Sequence, residues 1–330
     1  MKKFIFVLFA IAVFVSCKDD EKLGSELEEN YISIEQAIYH AGNFPEATSS
    51  EKITDILTSD QVMNGAANFI TVTSKYEIKK FFLGIVGVNG YLEYIAARAS
   101  TDSYVYIIPL MIAQNFSGNA ELLISAMLDN GGITIPTKYP LYQLETRPGA
   151  LEIKLAFSND KDVDIHVFTP SGIHIFFGSS RNGYYYGESG NYAYPFGLDI
   201  DSNAGCDIDG INKENIFIPE EYVENGTYYV AVDLYENCFP SIATSWFVTA
   251  WYNGKLITPN TGRNPASGVF AVGTQSSYCE NLVDVMTFNI SNVGKTKAVL
   301  DPLNDNVRTK SSFNYMNSPK LKRKVVPEDL

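Results

Sequence analysis

Apolar and polar positions alternate with a period of two along most of the chain from residue 67 onward, and this pattern predicts strands rather than helices. Runs rich in β-branched and aromatic residues cover Ala67–Ser74, Glu77–Gly87, Tyr91–Arg98, Val105–Ala113 and Ala120–Leu128, with turn-forming segments between them. Ala120–Leu128 also suits a helix, because Ala, Glu, Leu and Met favour one. The Asp129-Asn-Gly-Gly132 turn and the Ile133-Thr-Ile135 stretch argue for strands beside it. Short strands at this spacing predict an immunoglobulin-like β-sandwich over residues 45–147. Prolines at 136, 140 and 148 place a boundary within Pro136–Gly149. A second set follows over 148–291: Leu151–Ser158, Val163–Thr169, Ile173–Gly178, Phe196–Asp201, Asn215–Pro219, Gly226–Tyr235, Ser245–Tyr252, Gly268–Gly273 and Val285–Ser291. The expected fold is therefore all-β, with two β-sandwich domains. Trp246 and Trp251 are an odd number of positions apart and face opposite sides of one strand. A short helix is expected within Ile32–Ala41.

The amino terminus follows a different pattern. Lys2 and Lys3 precede an unbroken apolar run of 12 residues, Phe4–Val15. A bilayer core needs about 20 helical residues, so the run is too short to span one and reads as the core of a signal peptide, residues 1–16. Ser16-Cys17 and the acidic stretch after it resemble a bacterial lipobox, which makes Cys17 the lipidated first residue of the mature chain. Phe14 departs from the usual Leu three positions before the cysteine. Lys18-Asp-Asp-Glu21 resembles a Bacteroidetes-type export signal to the outer face of the outer membrane. The resemblance implies a lipid-anchored, cell-surface protein in which residues 17–44 form a tether. Several acyl chains, at about 0.8 kcal/mol per buried methylene, make such an anchor stable.

Composition narrows the function classes. The whole chain has a formal charge of −13, and the loss of Lys2 and Lys3 takes it to −15. An acidic surface of this kind argues against a nucleic-acid partner, which calls for a basic footprint, and suits cations. Residues 292–330 carry eight Lys or Arg against four acids and read as a basic, flexible tail. Beyond Cys17 the cysteines are Cys206, Cys238 and Cys279. An exported location permits a disulfide, and Cys206–Cys238 is preferred because both residues lie near an acidic segment. No spacing matches a zinc motif.

Two segments carry candidate chemistry. In Asp162-Val-Asp-Ile-His-Val167 a strand places Asp162, Asp164 and His166 on one face, expected to be exposed, and Val163, Ile165 and Val167 on the other. In Leu198–Asn215, Asp199 and Asp201 alternate with Leu198 and Ile200 ahead of a loop bearing Asn203, Asp207, Asp209, Asn212, Glu214 and Asn215. Calcium takes six to eight oxygen ligands, and Asp162, Asp164, Asp199, Asp201, Asp207 and Asp209 are its candidate ligands. The loop departs from an EF-hand, since Gly210 occupies the twelfth position counted from Asp199. The alternative is that these residues serve only as turn formers. Tyr184, Tyr185, Tyr186 and Tyr192 sit in a Gly/Asn/Ser-rich insert and are candidate contacts for a sugar or protein surface.

Asp162–Val167, Thr169–Gly178, Leu198–Asp201, Glu214-Asn-Ile216 and Gly226–Val230 together resemble the uncharacterised YfaP-type domain (DUF2135) over residues 150–255. Lys213 stands where that family prefers Pro. The resemblance implies an exported β-sandwich attached to adhesion or binding modules and implies no catalytic mechanism. The reading is a calcium-stabilised, non-catalytic surface module for a glycan or protein. A polysaccharide hydrolase with paired carboxylates is the alternative, as is a structural subunit of an envelope assembly.

Overall fold

The computed structural model describes residues 25–99, 103–178 and 196–291. The signal peptide, Cys17, the four insert tyrosines and the basic tail therefore lie outside the described residues. The chain opens with α1 (Glu26–Asn30), β1 (Ile32–Ser33), β2 (Ile38–His40), β3 (Asp55–Leu57), β4 (Gln61–Val62) and β5 (Ala67–Ser74). It continues with β6 (Ile78–Ile85), β7 (Tyr91–Tyr94), β8 (Tyr104–Ile112), β9 (Asn119–Leu128) and β10 (Thr137–Gln143). These strands form two sheets, ordered β1-β8-β5-β3 and β2-β7-β6-β9-β10-β4. Ile70, Val72, Phe81, Leu83, Tyr106, Ile108, Ile124 and their neighbours fill one apolar core between them. Strand alternation puts every second side chain into that core, which is the pattern seen in the sequence.

Residues after 150 supply β11 (Leu151–Phe157), β12 (Asp162–Phe168), β13 (His174–Ile175), β14 (Gly197–Asp201), β15 (Lys213–Ile218) and β16 (Gly226–Glu236). The last strands are β17 (Thr244–Tyr252), β18 (Lys255–Leu256), β19 (Thr261–Gly262), β20 (Ala266–Phe270) and β21 (Val283–Ile290). One sheet runs β14-β15-β11-β17-β18, with β20 also on β17, and the other runs β13-β12-β16-β21-β19. A second core lies between them, built on Leu155, Ile165, Val230, Trp246, Val248 and Phe288. The described residues are thus all-β but for short helical turns, with two pairs of antiparallel-rich sheets around separate cores.

Three expectations change. The helix lies at Glu26–Asn30, upstream of Ile32–Ala41, because Ser25 caps it: Glu28 N–H donates to Ser25 Oγ at 3.2 Å and Ser25 Oγ–H returns to Glu28 Oε2 at 2.8 Å. Ile32–Ser33 and Ile38–His40 are strands paired to β8 and β7, so the first sandwich begins inside the segment read as tether. Pro136–Gly149 is not linker throughout, since Thr137–Gln143 pairs with β9. Pro140 is tolerated there because β4 reaches only Tyr142 and Gln143, leaving β9 as the sole neighbour at the proline. Ala120–Leu128, open between helix and strand, is strand.

The outer face of β11 and β17 packs on the first sandwich. Phe247, Ala156, Ala67 and Phe69 form a small apolar contact. Lys154 Nζ, fully buried, donates to Asn64 O at 2.6 Å and pairs with Glu152 at 3.0 Å. Burial lowers the Lys154 pKa, and Glu152 opposes the shift. Trp251, on the face opposite core Trp246, donates from Nε1 to Gly65 O at 2.8 Å, and Thr249 Oγ1 donates to the same carbonyl at 2.7 Å. Gly65 has φ +64°, and a Cβ there would stand 2.0 Å from Gln114 Oε1 and 2.9 Å from the Trp251 ring. Gly65→Ala is therefore expected to cost about 1–3 kcal/mol through backbone strain and a displaced indole. Limited proteolysis at residues 144–149 should quicken in the variant, and an unchanged digestion rate would count against the seam.

Candidate functional site

β12 carries Val163, Ile165 and Val167 into the core and Asp162, Asp164 and His166 onto the opposite face. That second face is not exposed, contrary to the alternation-based expectation: Asp162 and Asp164 each retain 2% of their surface and His166 none. Two loops cover it. The 3-10 turn Ala204–Cys206 is tied to the segment after β16 by the Cys206–Cys238 disulfide, and Gly205 N–H donates to Asp162 Oδ2 at 2.7 Å. From the other side, Cys279 N–H donates to Asp233 Oδ2 at 2.8 Å. Asp233 is the residue of β16 directly opposite Asp164.

The opposing sheet contributes Glu214. It belongs to β15, is fully buried, and its Oε2 accepts from Ile165 N–H at 2.5 Å. Strand β13 pairs only with Val167 and Phe168, so this carboxylate satisfies a backbone donor on β12 that no strand reaches. β14 delivers Asp201 opposite Glu214 in register. Asp164, Asp201 and Glu214 each present an oxygen within 4.8 Å of the others. Two oxygens bound to one calcium ion, at 2.3–2.6 Å each, are separated by at most about 5.2 Å, so this spacing fits. Asp164 Oδ2 and Glu214 Oε1 are buried and lack a hydrogen-bond partner. Leaving ionised, unpartnered oxygens in the interior is costly unless a cation meets them.

The electrostatics agree. Burial raises Asp164 well above the usual carboxylate range, and Asp162, Asp201 and Asp233 add to the rise. Burial likewise raises Glu214, with Asp164 and Asp201 reinforcing it and the Ile165 N–H opposing it. Asp162 is pushed up to about 7, chiefly by burial. Asp233 reaches about 6 for the same reason, against the Ser277 and Cys279 hydrogen bonds. A group whose folded pKa is raised stabilises the fold below its unfolded pKa, and that stability is lost as pH rises through the folded value. In chelator, the melting temperature is thus expected to fall between about pH 4, the ordinary carboxylate value, and about pH 7, the upper of the folded values of Asp233 and Asp162. In saturating calcium the fall should vanish, because the ion replaces the protons. Identical pH profiles in calcium and chelator would contradict the cluster's role.

Of the six predicted ligands, Asp164 and Asp201 come together, and Asp162 lies beside Asp164 without joining either group of close ligand atoms. Asp199 lies at a bulge in β14 and is held by protein donors: its Oδ2 accepts from the Arg147 backbone N–H at 2.5 Å and its Oδ1 from the Asn215 side-chain Nδ2 at 2.6 Å. Asp209 Oδ1 accepts from Ile211 N–H at 2.8 Å, an Asx turn that shapes the loop. Asp207 is exposed at the C-cap of the 3-10 turn and belongs to neither group of close ligand atoms. Sequence reasoning missed Asp233 as a contributor and counted Glu214 only as loop polarity. An acid inside the apolar run Val230-Ala-Val-Asp-Leu234 was the available signal for Asp233.

No family model matches the chain, and no curated protein does. Among solved structures it is similar to fervidolysin from Fervidobacterium pennivorans, a keratinolytic enzyme related to subtilisin. That likeness has 13% identity and a TM-score of 0.17 over 76% of this chain, which spans 32% of the enzyme. A score so low does not indicate a shared fold, and the enzyme's activity has no bearing on this chain.

Proposed function

We propose that the chain is a cell-surface lipoprotein of the outer membrane, anchored through Cys17, whose second sandwich is a calcium-stabilised, non-catalytic module for a glycan or protein. One observation carries the proposal: three carboxylates on three strands of two sheets converge, and Asp164 Oδ2 and Glu214 Oε1 among them are buried without a hydrogen-bond partner. Asp164, Asp201 and Glu214 hold the ion, and Asp162, whose charge acts on Asp164, supplies further negative charge beside it. The carboxylates sit beneath two loops at 2% exposure or less for Asp162, Asp164 and Glu214. That placement suits an ion that braces the fold better than an acid–base pair that must reach a polysaccharide. β14, which ends at Asp201, directly follows the insert bearing Tyr184, Tyr185, Tyr186 and Tyr192. An ion held by Asp201 therefore fixes the end of the strand on which that insert returns.

Binding of the full chain to immobilised glycans and envelope proteins, in calcium and in chelator, tests the reading. The expected result is saturable binding in calcium that weakens at least tenfold in chelator and in Tyr185→Ala. Turnover of a polysaccharide in place of saturable binding would replace the module by a hydrolase.

A further inference from the structure

A second set of ligand atoms shares Asp164 with the first. Asp164, His166, Asp233 and Cys279 each offer one atom, and these atoms are all within 4.8 Å of one another. The set is nitrogen, sulfur and two carboxylate oxygens, unlike the all-oxygen set of the calcium group. His166 and Asp233 are fully buried, and His166 Nε2, Asp233 Oδ1 and Asp164 Oδ2 have no hydrogen-bond partner. The sandwich has an apolar core of its own, so three such atoms directed into one small volume need an explanation beyond packing.

We propose that Asp164, His166, Asp233 and Cys279 form a site for a zinc-class transition-metal ion. The types of ligand fit: imidazole, thiolate and carboxylate are the zinc donors, in a four-coordinate set. Bonds of 2.0–2.3 Å in a tetrahedron put ligand atoms about 3.3–3.8 Å apart, so the cluster need draw in by only about 1 Å at its widest. The surrounding shell is also in place. His166 Nδ1 lies 2.9 Å from His174 Nε2, so a proton on Nδ1 donated to His174 leaves Nε2 free for metal. His174 and Phe176 stack on one another at 4.0 Å and hold that partner in position. Cys279 N–H fixes Asp233 through its other oxygen, Oδ2.

The strand pairing explains how the set assembles. Asp164 and His166 are two apart on β12, and Asp233 faces Asp164 across β16. Cys279 comes from the loop that Ser277 N–H pins to Leu234 O at 2.9 Å. It is half-buried and gives the ion a route from solvent. In the metal-free chain burial, reinforced by the neighbouring acids Asp233, Asp164 and Asp162, keeps the thiol protonated. A bound dication reverses that local balance: the sulfur–metal bond forms as the S–H proton leaves to solvent. Sequence spacing concealed the site, because its cysteine lies 113 positions beyond its histidine.

The test is a cobalt(II) titration of the full, metal-stripped chain, followed by zinc(II) displacement. One cobalt per chain is expected, with the strong visible bands of tetrahedral cobalt and a thiolate-to-metal charge-transfer band. Cys279→Ser should remove the charge-transfer band, and His166→Gln should weaken binding at least tenfold. Glu214→Gln, which removes a calcium ligand, touches none of the four cobalt ligands and keeps an amide oxygen able to accept from Ile165 N–H, should leave the cobalt spectrum intact, so failure of either site can be told from failure of the other. Cobalt spectra indifferent to Cys279→Ser and His166→Gln, or no cobalt bound by the folded wild-type chain, would overturn the proposal. If Cys279→Ser does not fold, alkylation of the wild-type thiol decides: zinc should slow it at least tenfold, and an unchanged rate overturns the site.

Discussion

Asp164→Asn is expected to reverse the ranking of stability between calcium and chelator. In calcium the variant should melt about 5–10 °C below the wild-type chain, because it loses the ion. Calcium at 100 times its dissociation constant contributes about 2.7 kcal/mol, and a sandwich of this size shifts about 2–4 °C per kcal/mol. In chelator the same variant should equal or exceed the wild type. The wild-type carboxylate is then buried against Asp162, Asp201 and Asp233 with no cation, and the amide removes that repulsion. Asp199→Ala provides the contrast. It breaks the bonds to Arg147 and Asn215, and its cost of about 1–3 kcal/mol should be the same in both conditions. An equal loss for Asp164→Asn in calcium and chelator would remove the ion from the account.

Loss of the Cys206–Cys238 disulfide is expected to have the largest effect on stability. The bridge closes a loop with a sequence separation of 32, and the chain-entropy relation gives about 3–4 kcal/mol for a loop of that length. The effect should extend to the ion site. Cys206 ends the turn whose Gly205 N–H holds Asp162, and Cys238 follows the β16 strand that carries Asp233. Cys238→Ser should therefore lower the melting temperature and weaken calcium about tenfold. Chemical unfolding in calcium, with and without reductant, reports the first effect; calcium titration of the variant reports the second. A stability change under about 1 kcal/mol would show that the loop is held by other contacts.

Much of the architecture was legible because a half-buried strand declares itself by alternation. Val163, Ile165 and Val167 pointed into the core as their spacing required, and Trp246 and Trp251 parted to the core and the seam. Alternation alone does not say what covers the polar side of a strand. The face bearing Asp162, Asp164 and His166 is roofed by loops whose ends meet it only in the fold, so its burial could not be read locally. Glu214 and Asp233 were missed for the same reason: one arrives from the opposite sheet and the other by cross-strand register. Asp207 and Asp209 were over-read, since Asp in a Gly/Asn-rich loop is equally a turn former. β10 was masked by prolines that an edge position tolerates, and α1 by a Ser-x-x-Glu cap lying in the charged stretch assigned to the tether.

Calorimetric titration of the full, metal-stripped chain with calcium decides whether Asp164, Asp201 and Glu214 bind an ion. One calcium per chain should bind with release of protons at pH 7, and Glu214→Gln should abolish that binding while the chain stays folded. Elemental analysis of the unstripped protein should find the same ion. A folded wild-type chain that takes up no calcium, and carries none as purified, would contradict the reading of Asp164, Asp201 and Glu214 as its ligands.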